Sequence, residues 1–211
     1  MQYQLNINID SASVSAVNKV DQQVTIVKSV TPSLSGGNLP VAWLTFTPLM
    51  FNTVTWVENY NLYSTTQQLQ AGATISMTSI ADGTIQPGWL YTFANGVFNG
   101  ANGTGSTFNI QNSDNSYPLS FGLAQQATVN GQSAYAPLNC VPVLYNQQVS
   151  FTPIETLSIF LSNYTDNGVV ISQVAGNALV VELTSQQPTA TIGFNGTNNT
   201  FYLAGTAPAL S

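Results

Sequence analysis

Arginine and histidine are absent from this 211-residue chain, and Lys19 and Lys28 are its only basic side chains, set against eight carboxylates. Nucleic-acid affinity rests largely on lysine and arginine displacing counterions, and a net charge of −6 leaves nothing to do that work. Direct nucleic-acid binding is not expected. Anionic membrane surfaces are disfavoured for the same reason, because no basic cluster exists to meet them. Neutral glycans, zwitterionic lipid, other proteins and further copies of the chain remain as partners.

The missing histidine also removes chemistry. Serine, cysteine and threonine nucleophiles normally need an adjacent base, so triad hydrolases are excluded. A serine–lysine dyad would have to use Lys19 or Lys28, which lie in alternating or amphipathic stretches where a solvated lysine is the ordinary expectation. Zinc, iron and copper sites built from histidine and cysteine are unavailable, and no metal or other cofactor is expected. Asn112 to Ser116 is rich in oxygen, but Asp114 is its only carboxylate, which favours a polar loop over a calcium site.

Cysteine is represented by Cys140 alone, so no intrachain disulfide can form. Its neighbours Leu138 and Val141 mark it as a small buried hydrophobe. Long apolar runs are missing too. The run Ala178-Leu179-Val180-Val181 is far shorter than the roughly 20 residues a membrane-spanning helix needs. Residues Met1 to Asp10 alternate polar and apolar side chains without a basic or continuously apolar segment, and read as a strand rather than a signal peptide.

What is present is 44% hydrophobic residues in a background of Ser, Thr, Asn, Gln and Gly, which argues against disorder. A chain of this length suffices for one β domain over residues 1–211. Period-2 alternation bounded by turn residues predicts strands from Tyr3 to Ile9, Val24 to Val30, Val41 to Thr47, Val54 to Tyr63, Ala73 to Ile80 and Leu90 to Ala94. Later strands are predicted over Thr107 to Gln111, Leu119 to Val129, Gln132 to Ala136, Gln148 to Thr152, Thr156 to Ser162, Val169 to Val174, Leu179 to Thr184, Thr189 to Phe194 and Thr200 to Ala204. Asn130-Gly131, Asp166-Asn167-Gly168 and Asn195 to Asn199 supply hairpin turns between neighbours. The valines at 14, 17, 20, 24 and 27 follow a helical spacing, but β-branched residues favour strands, so a short helix near Ser11 to Lys19 is the lesser alternative. Asn95 to Ser106 and Ser33 to Pro40 read as exposed loops, and no internal repeat is evident. The expected fold is all-β, a single antiparallel β-sandwich of jelly-roll type.

A carboxylate pair is the catalytic option left. Glu58 shares a strand face with Trp56 and Tyr60, an arrangement able to bind or cleave a sugar, although a solvated Glu58 on a partly exposed face is the plainer expectation. Glu182 points outward from a strand whose buried face carries Leu179, Val181 and Leu183. An enzyme is not expected. The aromatic residues Trp89 and Tyr91 would join Trp56, Glu58 and Tyr60 in a lectin site for neutral glycans, against the commoner role of aromatics in core packing. Four sequons, at Asn102, Asn163, Asn195 and Asn198, fall in expected turns and favour an externally exposed, glycosylated protein.

A charge-poor surface lowers the electrostatic cost of packing copies together. The expectation is therefore a self-assembling structural protein of a virion or capsid surface, or an extracellular filament, suited to acidic media and poor in trypsin sites. A β-sandwich lectin is the alternative, and a β-rich toxin acting on neutral membranes through Trp89 and Tyr91 is a weaker one. Tyr3, Leu5, Ile7 and Ile9 lie on a terminal strand without lysine guards, so this strand is expected to be buried in the fold or to pair with a neighbouring subunit.

Overall fold

The computed structural model describes residues 1–34 and 39–204. In chain order these form β1 (Gln2–Asn8), α1 (Ser11–Lys19), β2 (Gln23–Pro32), β3 (Leu39–Ala42), β4 (Leu44–Phe46), β5 (Phe51–Thr65), β6 (Ser79–Ile80), β7 (Leu90–Ala94) and β8 (Val97–Ala101). There follow β9 (Phe108–Asn112), β10 (Ser120–Val129), β11 (Gln132–Pro137), β12 (Asn139–Pro142), β13 (Gln148–Ser162), β14 (Val169–Val170), β15 (Leu179–Glu182), β16 (Thr189–Asn195) and β17 (Thr200–Leu203). The described residues are all-β, with 55% strand and 4% helix. Among the described residues no helix is long and apolar enough to cross a membrane.

The strands make two sheets. The first runs β14-β3-β12-β10-β5-β1-β16-β17, with β11 beside β10 and β6 beside β5, and it curls into a half-barrel. The second runs β4-β2-β13-β9-β7-β8, with β15 beside β13. Both sheets are mixed, which corrects the expected purely antiparallel layout. β1 pairs antiparallel with β5 but parallel with β16, and β7 pairs parallel with β9. Parallel neighbours need long connections, and the chain supplies them: nearly its whole length lies between β1 and β16.

β1 is therefore an interior strand. Tyr3, Leu5, Ile7 and Ile9 are buried, and both sides of β1 are hydrogen-bonded within the chain, so it offers no edge to a neighbour. One core joins the sheets, with Leu5, Ile7, Leu62 and Leu123 of the first meeting Ile26, Leu157 and Ile159 of the second. Aromatic contacts cross the same gap. Phe93 meets Phe121 edge-on at 5.2 Å and Tyr60 meets Phe108 at 5.6 Å.

Residues 11–19 form the helix that the valine spacing allowed. Asp10 caps it, accepting from Ser13 N at 3.0 Å and Ser13 Oγ at 2.6 Å, bonds that also hold its carboxyl below the ordinary range. Val17 is buried and Val14 packs on the core. A capped first turn with one apolar stripe outweighs the strand preference of the valines.

Turn chemistry sorts the remaining differences. Asn130 and Gly131 take φ of 50° and 83°, closing the expected β10–β11 hairpin. Asn95 and Gly96, at 51° and 79°, do the same for β7 and β8, inside what was expected to be a loop. The turn at Asp166 to Gly168 does not fold β13 back on itself. Asn167 Oδ1 accepts from Thr45 N at 2.7 Å and Gly168 N donates to Ala42 O at 2.7 Å, so the chain crosses and β14 pairs with β3. Of the strands expected over Ala73 to Ile80 and Val169 to Val174, only β6 and β14 form. Cys140 is buried, and burial pushes its thiol up to about 11.

Candidate functional site

The longest strands, β5 and β13, each span 15 residues, one in each sheet. Both are irregular at mid-length. Between Trp56 and Tyr60, β5 places Val57, Glu58 and Asn59 opposite the single residue Gln126 of β10. Between Pro153 and Leu157, β13 places Ile154, Glu155 and Thr156 opposite the single residue Ser29 of β2. Two extra residues on each strand preserve the inward and outward alternation while bending the ladder. The main chain stays satisfied, since Val57 O accepts from Gln125 Nε2 at 2.7 Å and Glu155 O accepts from Leu183 N at 2.8 Å.

Between the bulges lies a buried lysine. Val24, Ile26 and Lys28 share the inward face of β2, and Lys28 is 1% exposed, which corrects the expectation of a solvated side chain. Its ammonium donates to Glu155 Oε1 at 2.7 Å, to Gln125 Oε1 at 2.8 Å and, more weakly, to Tyr60 OH at 3.4 Å. The rings of Trp43, Trp56 and Tyr60 stand 5.4, 5.4 and 5.3 Å from Nζ and supply cation–π attraction. Burial nevertheless dominates, lowering the Lys28 ammonium to about 8 against the opposing pull of Glu155.

Glu155 is held from all sides. Its Oε1 accepts from Tyr60 OH at 2.7 Å as well as from Lys28, and its Oε2 accepts from Trp56 Nε1 at 2.8 Å. Trp43 Nε1 donates to Gln125 O at 3.3 Å. Tyr3 stacks on Trp56 at 5.7 Å and donates to Glu58 Oε1 at 2.6 Å. Burial, and then the neighbouring carboxylates, hold the Tyr3 and Tyr60 hydroxyls well above the ordinary tyrosine range.

The network opens into a cleft of about 380 Å³ whose lining includes Glu58, Tyr60, Gln86, Phe108, Pro153 and Glu155. Tyr91 OH accepts from Gln86 N at 2.7 Å and so fixes the loop that forms one wall. Two carboxylates, a phenol and backing rings can receive the hydroxyls of a neutral ligand. Among the described residues no group of three or more acidic, cysteine or histidine side chains gathers as a metal would need.

Of the residues expected from sequence, the structure brings Trp56, Glu58 and Tyr60 to one site but buries Trp56 and Tyr60 beneath it. Trp89, half-buried, stacks on the buried Tyr91 at 6.2 Å. Lys28, Gln125, Glu155 and Trp43 were missed. For the first three a signal was available: Lys28 follows Val24 and Ile26, Gln125 follows Phe121 and Leu123, and Glu155 precedes Leu157 and Ile159, each at inward parity. Asn102, Asn163 and Asn198 are exposed, while Asn195 ends β16 half-buried and accepts from Thr197 N at 2.9 Å. No family model matches the chain, and no curated protein or solved structure is similar to it.

Proposed function

We propose that the chain is a non-enzymatic structural subunit, a single jelly-roll-like β domain that assembles with copies of itself on the outside of a virion or cell. The observation that carries this reading is β8, the terminal strand of the second sheet. It pairs with β7 on one side, and among the described residues no strand pairs with its other side. Its sequence Val97-Phe98-Asn99-Gly100-Ala101 holds no charge and no proline, the usual guards of an edge. Phe98 packs inward against Phe93 and Phe121, leaving Val97, Asn99 and Ala101 exposed. Strand addition at β8 replaces the terminal-strand role expected of β1.

The native mass at micromolar concentration, by light scattering or electron microscopy, tests the proposal. A regular assembly that Asn99→Lys dissolves supports it; a wild-type monomer contradicts it. External use also predicts acid tolerance. With so few titrating groups and about +3 charge once the carboxylates are protonated, self-repulsion is weak and the fold should persist near pH 2 to 3. Cooperative unfolding above pH 4 would count against that environment.

The cleft favours one second reading, a lectin-like site for a neutral glycan held by Glu58, Gln86 and the ring of Phe108. Binding on a glycan array that Glu58→Ala abolishes, by a chain that stays monomeric, would put this reading ahead of assembly.

A further inference from the structure

Lys28 is one of two basic side chains in the protein, yet it sits in the core with a side-chain amide and a carboxylate against the same nitrogen. We propose that Lys28 and Gln125 are joined by an intramolecular isopeptide bond, formed without a cofactor once the two sheets have packed, with Glu155 carrying the protons. The inference stands apart from the assembly reading.

The reacting groups are already in contact. Lys28 Nζ donates to Gln125 Oε1 at 2.8 Å, which holds the amine against the side-chain amide, the kind of enforced proximity that replaces an encounter step. Gln125 is fully buried and held at its other end, where Nε2 donates to Val57 O at 2.7 Å. Glu155 Oε1 lies 2.7 Å from the same Nζ, and the indole of Trp56 and the phenol of Tyr60 fix its carboxylate. Rings of Trp43, Trp56 and Tyr60 wall the site and keep bulk water from it. Burial also favours the neutral amine, the nucleophilic form, at pH values not far above neutrality.

The chemistry balances within these groups. Glu155 takes a proton from the Lys28 ammonium, and the neutral nitrogen adds to Gln125 Cδ. Glu155 returns that proton to Nε2, the Cδ–Nε2 bond breaks, and ammonia leaves through the cleft that Glu155 lines. A second proton, from the nitrogen of the new bond, stays on Glu155. A buried ion pair and an amide become a neutral carboxylic acid, a substituted amide and ammonia. Because an unpaired charge in the core is costly, removing both charges together favours the product. The bond ties β2 of one sheet to β10 of the other, a cross-link in a chain whose single cysteine cannot make one with itself.

Denaturing mass spectrometry of the purified wild-type chain tests this directly. The expected mass is one ammonia below that of the sequence. Trypsin acting on the unfolded chain should cut after Lys19 and not after Lys28, and a broad-specificity digest should yield a branched peptide containing Lys28 and Gln125. Gln125→Ala should return to its full sequence mass and regain the cut after Lys28. Glu155→Gln, which keeps the size but cannot shuttle the protons, should do the same with a native far-UV spectrum. A wild-type chain of full sequence mass that trypsin cuts after Lys28 overturns the proposal. So does an ammonia loss that persists in Gln125→Ala, which would place it elsewhere in the chain.

Discussion

In β5 the two extra residues leave Glu58 with 43% of its side chain in solvent, whereas the same insertion in β13 leaves Glu155 only 11% exposed. Both carboxylates stand at inward parity on the longest strand of their sheet, and both line one cleft. The difference lies in what each faces. Glu58 meets the hydroxyl of Tyr3 near the surface, while Glu155 meets Lys28, Tyr60 and Trp56 in the interior. A strand bulge alone does not decide whether a charge is structural or available; the partners across the sheets do.

The largest expected effect comes from taking the interior partner away. Lys28→Met keeps roughly the side-chain volume but removes both the cross-link and the cation that Glu155 faces before that bond forms, and a buried carboxylate left without its cation by itself costs about 3–5 kcal/mol. Urea unfolding should show it as a lower midpoint with little change in slope. A loss under about 1 kcal/mol would mean that solvent reaches Glu155 and that the two bulges are alike.

Alkaline titration separates the two states of the interior. Where the Lys28 amine is free, as in Gln125→Ala, burial holds the folded ammonium below the unfolded value near 10.5, so stability should rise with pH up to about that value. In the cross-linked wild type that rise should be missing. Tyr3, Tyr60 and Tyr63, all held up chiefly by burial, keep their protons longer folded than unfolded, so both chains should lose stability above about pH 10. Unfolding midpoints from pH 7 to 11 read both trends.

Smaller effects sharpen the outer side. Tyr3→Phe removes the hydroxyl that reaches Glu58 and keeps the ring stacked on Trp56, so a loss of about 1 kcal/mol is expected. Asn99→Lys on β8 should change stability by less than about 0.5 kcal/mol while lowering the native mass. A large stability loss in that variant would show that β8 is needed for folding rather than for association.

The all-β class and most strands were legible in the period-2 pattern, and Asn130-Gly131 located its hairpin because only a few residues tolerate positive φ. The equivalent signal at Asn95-Gly96 is hidden by the glycines that follow it, which make the β8 segment read as loop. Pairing across sheets was not legible. Nothing local says that β1 lies beside β16, or that Asn167 caps the backbone of Thr45 and carries β14 to the other sheet. At the site, parity marked Lys28, Gln125 and Glu155 as inward, but the hydrogen bonds that make this tolerable join residues 97 and 127 positions apart. A polar residue at inward parity is a signal from sequence; its partner is a fact of the fold.

The interior carboxylate, and not its twin at the surface, is expected to hold the two sheets together. Equilibrium unfolding of Glu155→Gln beside Glu58→Gln tests it most directly, since the substitution is the same and both sites share a cleft. Glu155→Gln should lose several-fold more stability than Glu58→Gln, whose loss should stay within about 1 kcal/mol. Equal losses, or a larger loss at Glu58, would contradict the account.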